Sequence, residues 1–225
     1  GHIIGGEALV RWQNDKEMIY PDQFIPVLEK NGYVIDVDNF IWNKVCACIK
    51  MMEDKGIEPV PISVNVSRMH VYQEKFTENL KNMAGEYGID PKYIPLEITE
   101  SAFTKEEGSL FKKVQSLQGY GFKFSMDDFG SGYSSLGMLK SERVDEVKID
   151  KTFVDDIATD KGKVLLGNVI RMINELGIDM IAEGVETKEQ ADFLKENGCM
   201  YAQGYYYYKP MPIEEFAKLL ENSAR

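Results

Sequence analysis

The sequence predicts a parallel α/β fold that closes as a barrel, and three observations support this prediction. Short apolar runs alternate with longer segments of helical spacing, which is the pattern of parallel strands joined by crossover helices. No glycine-rich phosphate loop follows the first apolar run, so a doubly wound nucleotide-binding sheet is disfavoured. The length of 225 residues suits one barrel domain, which we expect to span residues 1–225.

Seven strands are predicted from runs of apolar and β-branched residues bounded by turn residues. They span residues 3–10, 60–66, 94–99, 122–127, 146–150, 179–183 and 201–206. An eight-stranded barrel would therefore be one strand short. We expect the missing strand to precede Gly1, because the chain opens almost directly on a strand.

Helices are predicted between the strands from residues that cap helix starts and from glycines that end helices. Pro21 is typical of a first helical turn, and the helix that it begins should end at Gly32. Five further helices are expected at residues 36–56, 68–88, 104–121, 160–177 and 187–198. A last amphipathic helix should cover residues 212–222.

The charge balance excludes one class of function. The chain has 26 Lys and Arg against 37 Asp and Glu, a formal net charge of -11, which disfavours binding DNA through a basic surface. No apolar run is long enough to cross a membrane, and no secretion signal is present. We therefore expect a cytoplasmic domain, although upstream segments of a longer protein could anchor it to a membrane. The three cysteines lack metal-binding spacing and are expected to be buried thiols.

Polar residues stand at the carboxyl ends of nearly all the predicted strands, where a barrel builds its active site. These residues are Glu7, Asn65, Glu97, Asp127, Asp128, Lys148, Glu183, Glu186 and Gln203. Carboxylate and carbonyl oxygens suit Mg²⁺ or Mn²⁺, and adjacent aspartates can serve two ions. The set therefore predicts a two-metal site for phosphoryl chemistry, with the ions about 3.5–4 Å apart.

Each residue taken alone has a simpler explanation. Lys148 could pair with the neighbouring Glu146 or Asp150. The Asp-Phe-Gly triplet at residues 128–130 also matches the metal motif of protein kinases, but no glycine-rich loop precedes it. The tyrosines at residues 205–208 suggest base stacking, yet tyrosines at a strand end more often pack against the core. The recurrence of polar strand ends on consecutive strands favours the functional interpretation.

Seven ordered motifs resemble those of the EAL-domain family of cyclic di-GMP-specific phosphodiesterases. They read EALVRW at 7–12, SVNVS at 63–67, LEITES at 96–101, DDFGSGYSSL at 127–136, VKID at 147–150, AEGVET at 182–187 and QGY at 203–205. The resemblance runs from Ile4 to about Met211. It implies a TIM-like (β/α)8 barrel of the EAL type, here without its N-terminal helix and first antiparallel strand, so the domain is expected to be N-terminally truncated.

The resemblance also implies an enzyme that hydrolyses cyclic di-GMP to linear pGpG in bacterial signalling, with two divalent cations, Mg²⁺ or Mn²⁺, as cofactors. Ligands of the first ion would be Glu7, Asn65, Glu97 and Asp127. Ligands of the second ion would be Asp127, Asp128 and Glu183. A water between the ions would attack one phosphorus. Lys148 would hold that water or balance charge in the transition state, and Glu183 or a neighbouring carboxylate such as Asp128 would accept its proton.

Further roles follow from the same resemblance. Arg11 would bind a phosphate, and Leu9, Glu186 and Gln203 would contact the substrate or support the site. A loop that couples the metal site to a dimer partner would include Glu100, Phe129, Gly130, Ser131 and Gly132. The expected partners are cyclic di-GMP, a second copy in a homodimer, and an upstream sensor or GGDEF domain.

Two other functions stay open from the sequence. A catalytically silent cyclic di-GMP receptor is the main alternative, but silent receptors of the family typically lose ligand residues and none is missing here. A phosphodiesterase for a different small phosphodiester is the other.

Overall fold

The structure is a computed structural model that describes residues 2–15, 17–99, 107–130, 139 and 144–223. Its strands are β1 (Gly6–Ala8), β2 (Trp12–Gln13), β3 (Met18–Ile19), β4 (Ile62–Asn65), β5 (Leu96–Thr99), β6 (Phe124–Phe129), β7 (Glu146–Ile149), β8 (Asp179–Ala182) and β9 (Tyr201–Ala202). Its α-helices are α1 (Pro21–Asn31), α2 (Val34–Asp54), α3 (Arg68–Val71), α4 (Phe76–Tyr87), α5 (Glu107–Gln118), α6 (Lys151–Asp155), α7 (Asp160–Leu176), α8 (Lys188–Glu196) and α9 (Ile213–Ser223). In the described ranges no helix combines the length and the hydropathy that crossing a membrane requires.

The main sheet confirms the predicted parallel α/β class. Seven of the described strands, all except the short β2 and β3, belong to it. The pairs β1–β4, β4–β5, β6–β7, β7–β8 and β8–β9 are all parallel. Each predicted strand is present, most of them shorter than the apolar run that predicted it.

The chain divides into two compact units, and the first comprises Gly1–Glu97, Ser109–Lys123 and Met211–Arg225. Its core lies around α2, where Trp42, Cys46 and Ile49 are buried. A Cβ atom on Gly6 would lie 3.0 Å from the Phe216 ring, so glycine in β1 lets α9 pack closely against that strand. The single-domain boundary at residues 1–225 stays a prediction.

The second unit comprises Ile98–Gly108 and Phe124–Pro210. Within it, β7 lies between β6 and β8, with Val147 in register with Met126 of β6 and with Met180 of β8. Helix α7 contributes Leu166, Ile170 and Ile173 to the core, an i, i+4, i+7 spacing that places them on one helical face. This packing fixes the carboxyl ends of β6, β7 and β8 as neighbours.

The predicted helix at residues 68–88 is wrong as a single element, because the chain forms α3 and α4 separated by a turn. The carbonyls of Val71 and Gln73 accept hydrogen bonds from Lys113 Nζ at 2.7 and 2.9 Å. In a continuous helix these carbonyls would accept from backbone amides of the next turn. Here the lysine side chain takes that place, so the first helix ends. A long-range contact of this kind leaves no local signal in the sequence.

Neither the β2–β3 hairpin nor the short helix α6 was predicted from the sequence. Strands of two residues are too short to show alternation of apolar and polar side chains. In the hairpin, Trp12 pairs with Ile19 and packs edge-on against Phe24, with ring centroids 5.6 Å apart. The hairpin follows directly after the EAL motif.

Core packing was the wrong expectation for the tyrosines at residues 205–208. The chain leaves β9 after Ala202 and turns at Gly204, whose φ is 152°. The amides of Tyr207 and Tyr208 both donate to the Gly204 carbonyl, which closes a turn rather than extending the strand. All four rings are therefore exposed, by 42% to 60%.

The three cysteines are free and buried, as expected. Burial raises the pKa of the Cys46 thiol to about 12 and the pKa values of Cys48 and Cys199 to about 11. The reactive thiolate is therefore scarce near neutral pH. We predict that a disulfide reagent such as Ellman's reagent labels none of the native thiols within minutes at pH 8 but labels all three in denaturant. Rapid labelling of one native thiol would contradict this assignment.

Candidate active site

A buried lysine in β7 contacts two of the predicted site carboxylates. Lys148 is 1% exposed, and its Nζ lies 2.6 Å from Glu183 Oε1 and 3.6 Å from Asp127 Oδ1. Burying an ammonium group is costly unless anionic groups surround it. The local alternative partner Asp150 instead caps α6, where it accepts a hydrogen bond from the Thr152 amide at 2.9 Å. Lys148 thus contacts carboxylates near the carboxyl ends of the two neighbouring strands, β6 and β8.

Glu183 is held from two further directions. Gln203 Nε2 donates to Glu183 Oε1 at 2.8 Å, so the oxygen that receives the lysine also receives an amide. The Glu183 backbone amide donates to the Ile149 carbonyl at 3.0 Å, and the Gln203 amide donates to the Ala182 carbonyl at 2.8 Å. Hydrogen bonds to a carboxylate from charged and neutral donors together restrict its orientation. The structure therefore brings Asp127, Lys148, Glu183 and Gln203 together.

The adjacent aspartates lie in a β-bulge of β6. Met126 pairs with Val147 and Phe129 pairs with Ile149, so β6 has one more residue than β7 across this interval. Asp128 has φ of 56°, a left-handed conformation that aspartate tolerates better than most residues. In a regular strand Asp127 and Asp128 would point to opposite faces. The bulge breaks that alternation at the pair, as bulges beside active sites often do.

In the first unit, the predicted site residues lie on the neighbouring strands β1, β4 and β5. Asn65 Nδ2 donates to Glu7 Oε1 at 3.3 Å. Asn65 is also in register with Glu97, whose side chain is buried with 1% of its surface exposed. The parallel pairing therefore places one amide between two carboxylate-bearing strands.

A buried polar cluster behind Asn65 went unrecognised in the sequence. Trp42 Nε1 donates to the Asn65 carbonyl at 3.1 Å, and the Trp42 ring stacks on His70 with centroids 4.3 Å apart. Asp38 Oδ2 accepts from both the amide and the hydroxyl of Ser67 and lies 3.2 Å from His70 Nδ1. The cluster ties α2 to the end of β4. It could not be read from the sequence because Asp38 and Ser67 are far apart along the chain.

Leu9 and Arg11 lie in the connection between β1 and β2. The Arg11 guanidinium lies 5.5 Å from the centre of the Tyr20 ring, and its Nη1 donates to the Val10 carbonyl at 2.8 Å. A cation over an aromatic face is attracted by the ring's negative quadrupole. Leu9 is 43% exposed. Contact of either side chain with a substrate stays a prediction.

Some of the remaining predicted site residues are described by the structure and others are not. Glu186 Oε1 accepts from Lys151 Nζ at 2.6 Å, so its near partner is a lysine of α6. Phe129 is buried, and a Cβ on Gly130 would overlap the Phe153 ring. Glu100, Ser131 and Gly132 lie outside the described residues. Their predicted role in coupling to a dimer partner therefore stays a prediction.

The donor chemistry of these residues fits divalent cations. Glu7, Asn65 and Glu97 in the first unit, and Asp127, Asp128 and Glu183 in the second, offer only hard oxygen donors and no thiolate or imidazole. Across the part of the chain that the structure describes, no group of three or more acidic, histidine or cysteine side chains is arranged to hold one ion. The cation that Asp127 and Glu183 face is the Lys148 ammonium.

Curated proteins of similar sequence are bacterial signalling proteins. The oxygen sensor protein DosP of Escherichia coli K12 is 35% identical over 96% of this chain. The bifunctional diguanylate cyclase/cyclic di-GMP phosphodiesterase MucR of Pseudomonas aeruginosa is 32% identical over 96%, and the probable cyclic di-GMP phosphodiesterase PdeG of E. coli is 33% identical over 98%. The chain spans 27%, 32% and 44% of these three relatives, respectively.

A solved structure and a family model point to the same family as these relatives. A structure described as the PaMucR phosphodiesterase in complex with c-di-GMP is 32% identical, with a TM-score of 0.91 over 96% of this chain and 88% of that chain. This likeness confirms the TIM-like barrel of the EAL type. The model of the EAL domain matches residues 1–210. The chain therefore belongs to the EAL domain family.

Proposed function

We propose that this domain hydrolyses cyclic di-GMP to linear pGpG with two divalent cations, Mg²⁺ or Mn²⁺. The observation that carries the proposal is the buried Lys148, whose Nζ lies 3.6 Å from Asp127 Oδ1 and 2.6 Å from Glu183 Oε1. A buried charge beside the strand ends of a barrel is typical of a catalytic site. Relatives with similar sequences are named cyclic di-GMP phosphodiesterases.

The proposed metal ligands are oxygen-bearing side chains that carry hard donors. They are Glu7, Asn65, Glu97, Asp127, Asp128 and Glu183. When bound, two divalent cations stabilise charge on a phosphodiester and lower the pKa of water. No other cofactor is needed for hydrolysis of a phosphodiester.

The chain's own residues then have distinct tasks. Glu183 is suited to accept a proton from the attacking water, because its carboxylate is oriented by both Lys148 and Gln203. Lys148 holds positive charge beside the reacting phosphate. Arg11 is suited to orient a phosphate through its planar guanidinium, which lies 5.5 Å from the centre of the Tyr20 ring.

The test is conversion of cyclic di-GMP to pGpG by the wild-type domain with Mg²⁺, with Mn²⁺ and with a chelator. We predict turnover only with a divalent cation, and a fall of at least about a hundredfold in Glu7→Ala, which exceeds the usual cost of removing a group that only supports a metal ligand. Glu58→Ala, a change at a glutamate that lies outside the predicted site, is the control. Turnover by Glu7→Ala at the wild-type rate would contradict the ligand assignment.

The proposal extends to the ligand, the oligomeric state and the neighbouring domain. We propose cyclic di-GMP as the ligand, a homodimer as the active form, and a sensor or GGDEF domain as a neighbour in a cytoplasmic part of a longer protein. The curated relatives named above support a longer protein, because each of them is more than twice as long as the matching segment.

A further inference from the structure

The segment that carries Glu183 is held by a helix that the sequence did not predict. Residues 183–187, the Glu183 loop, connect β8 to α8. Helix α6 lies against this loop and begins directly after β7, the strand of Lys148. Two residues outside the proposed catalytic set, Lys151 of α6 and Gln190 of α8, make the contacts between the helix and the loop.

Lys151 covers the tightest point of the Glu183 loop. Gly184 has φ of 65°, and a Cβ on it would lie 2.4 Å from Lys151 Cγ and 2.7 Å from Cβ and Cδ. The aliphatic part of Lys151 therefore packs directly over the glycine. Its Nζ then reaches Glu186 Oε1 at 2.6 Å and Asp155 Oδ1 at 3.6 Å. Lys151 therefore contacts the loop both through its aliphatic carbons and through its ammonium group.

Gln190 fixes the other end of the loop. Its Oε1 accepts from the amides of Glu186 and Thr187 at 2.8 and 3.0 Å, and the Thr187 hydroxyl accepts from the Gln190 amide at 3.2 Å. This reciprocal arrangement is a capping box, which satisfies the free amides at a helix start. The Gln190 Nε2 also donates to the Val154 carbonyl at 3.5 Å. The cap of α8 is thus tied to α6.

We infer that Lys151 and Gln190 are positioning residues that hold the Glu183 loop against α6 and so keep the Glu183 carboxylate on Lys148. The inference rests on the proposed function, because it assigns Lys151 and Gln190 to the support of a catalytic carboxylate. The interaction of Lys151 with Glu186 is an exposed ion pair, and such pairs contribute little to stability. The consequence should therefore be geometric, affecting the loop and the chemical step more than the folding free energy.

The test compares Lys151→Ala, Lys151→Arg and Lys50→Ala by steady-state kinetics with cyclic di-GMP. Lys50 is the matched control, since it is 43% exposed against 44% for Lys151 and pairs with Asp54 at 3.1 Å in α2. We expect Lys151→Ala to lower kcat about tenfold with KM changed less than about twofold, the low end of the cost of losing a supporting partner. Lys151→Arg should recover most of the activity, and Lys50→Ala should match the wild type.

A second measurement does not depend on turnover. Hydrogen exchange of the peptide containing residues 183–190 reports directly on the amides that Gln190 protects. We expect faster exchange there in Lys151→Ala and no change in Lys50→Ala. Gly184→Ala should act similarly, because its new methyl group overlaps the Lys151 side chain. Its added effect should shrink only in part in the Lys151→Ala background, because Cβ of residue 151 remains.

Three results would overturn the inference. Unchanged exchange of residues 183–190 in Lys151→Ala would show that the lysine does not hold the loop. A raised KM with unchanged kcat would show that Lys151 binds substrate instead. A kcat within about twofold of the wild type, less than the usual cost of losing a supporting partner, would show that the support has no catalytic effect. If the wild type fails to turn over cyclic di-GMP, the proposed function fails, whereas the exchange measurement still decides the positioning role.

Discussion

Replacing Lys148 with methionine is expected to reduce turnover of cyclic di-GMP by about 10²–10³-fold, the usual cost of removing one electrostatic contact to a transition state. Methionine keeps an unbranched side chain of similar length but removes the ammonium group. The carboxylates of Asp127 and Glu183 would then face each other without the cation that lies 3.6 and 2.6 Å away from them. The mutation should lower kcat more than it raises KM.

Folding must be separated from catalysis in this variant. Loss of a charge-assisted hydrogen bond should lower the free energy of unfolding by about 1–3 kcal/mol. Lys92→Met is the matched control, because Lys92 pairs with Asp90 at 2.9 Å but is 53% exposed. Thermal unfolding and kinetics of both variants give the comparison. Wild-type turnover in Lys148→Met would remove the lysine from the mechanism.

Replacing Trp42 with alanine is expected to lower the free energy of unfolding by about 3–5 kcal/mol. Trp42 is 1% exposed and is among the largest fully buried side chains in the described ranges. The mutation removes the ring that stacks on His70 and the donor to the Asn65 carbonyl. Chemical denaturation followed by circular dichroism measures this loss directly.

The chain offers a control within the same residue type. Trp12 is 50% exposed and packs edge-on against Phe24, so Trp12→Ala should cost about 1 kcal/mol or less, as expected for an exposed aromatic contact. Trp42→Phe separates packing from hydrogen bonding, since it retains a ring but loses the indole N–H. The main effect of Trp42→Phe should be a loss of activity, through the lost hydrogen bond to the Asn65 carbonyl. The effect on the free energy of unfolding should be smaller. Equal stability losses in Trp42→Ala and Trp12→Ala would contradict the placement of the core.

The fold class could be predicted because alternating strands and helices leave local patterns. Most helix ends were marked by capping residues and glycines, such as the Thr187 cap and the glycines that follow α4 and α7. The division of the helix at residues 68–88 was missed because it depends on Lys113, which is remote in sequence. The exposure of the tyrosines at 205–208 was missed because a turn at Gly204 ends β9 early.

The candidate site was predictable as a set of residue types at strand ends, but its contacts were not. Strand order brings Lys148 to Asp127 and Glu183, and neither partner is a neighbour of the lysine along the chain. The bulge at Asp127 and Asp128 depends on one extra residue in β6, which no spacing in the sequence reveals. The contact of Glu186 with Lys151 could not be predicted from the motif, because Lys151 lies on a helix that was not predicted.

Cleavage of a phosphodiester bond of cyclic di-GMP can be observed by phosphorus NMR of the nucleotide incubated with the wild-type domain and Mg²⁺ or Mn²⁺. We predict a new phosphomonoester resonance equal in intensity to the remaining diester resonance, as in pGpG, and no change with a chelator. An unchanged cyclic dinucleotide under every metal condition, with the nucleotide bound to the folded domain, would contradict hydrolysis and identify a receptor.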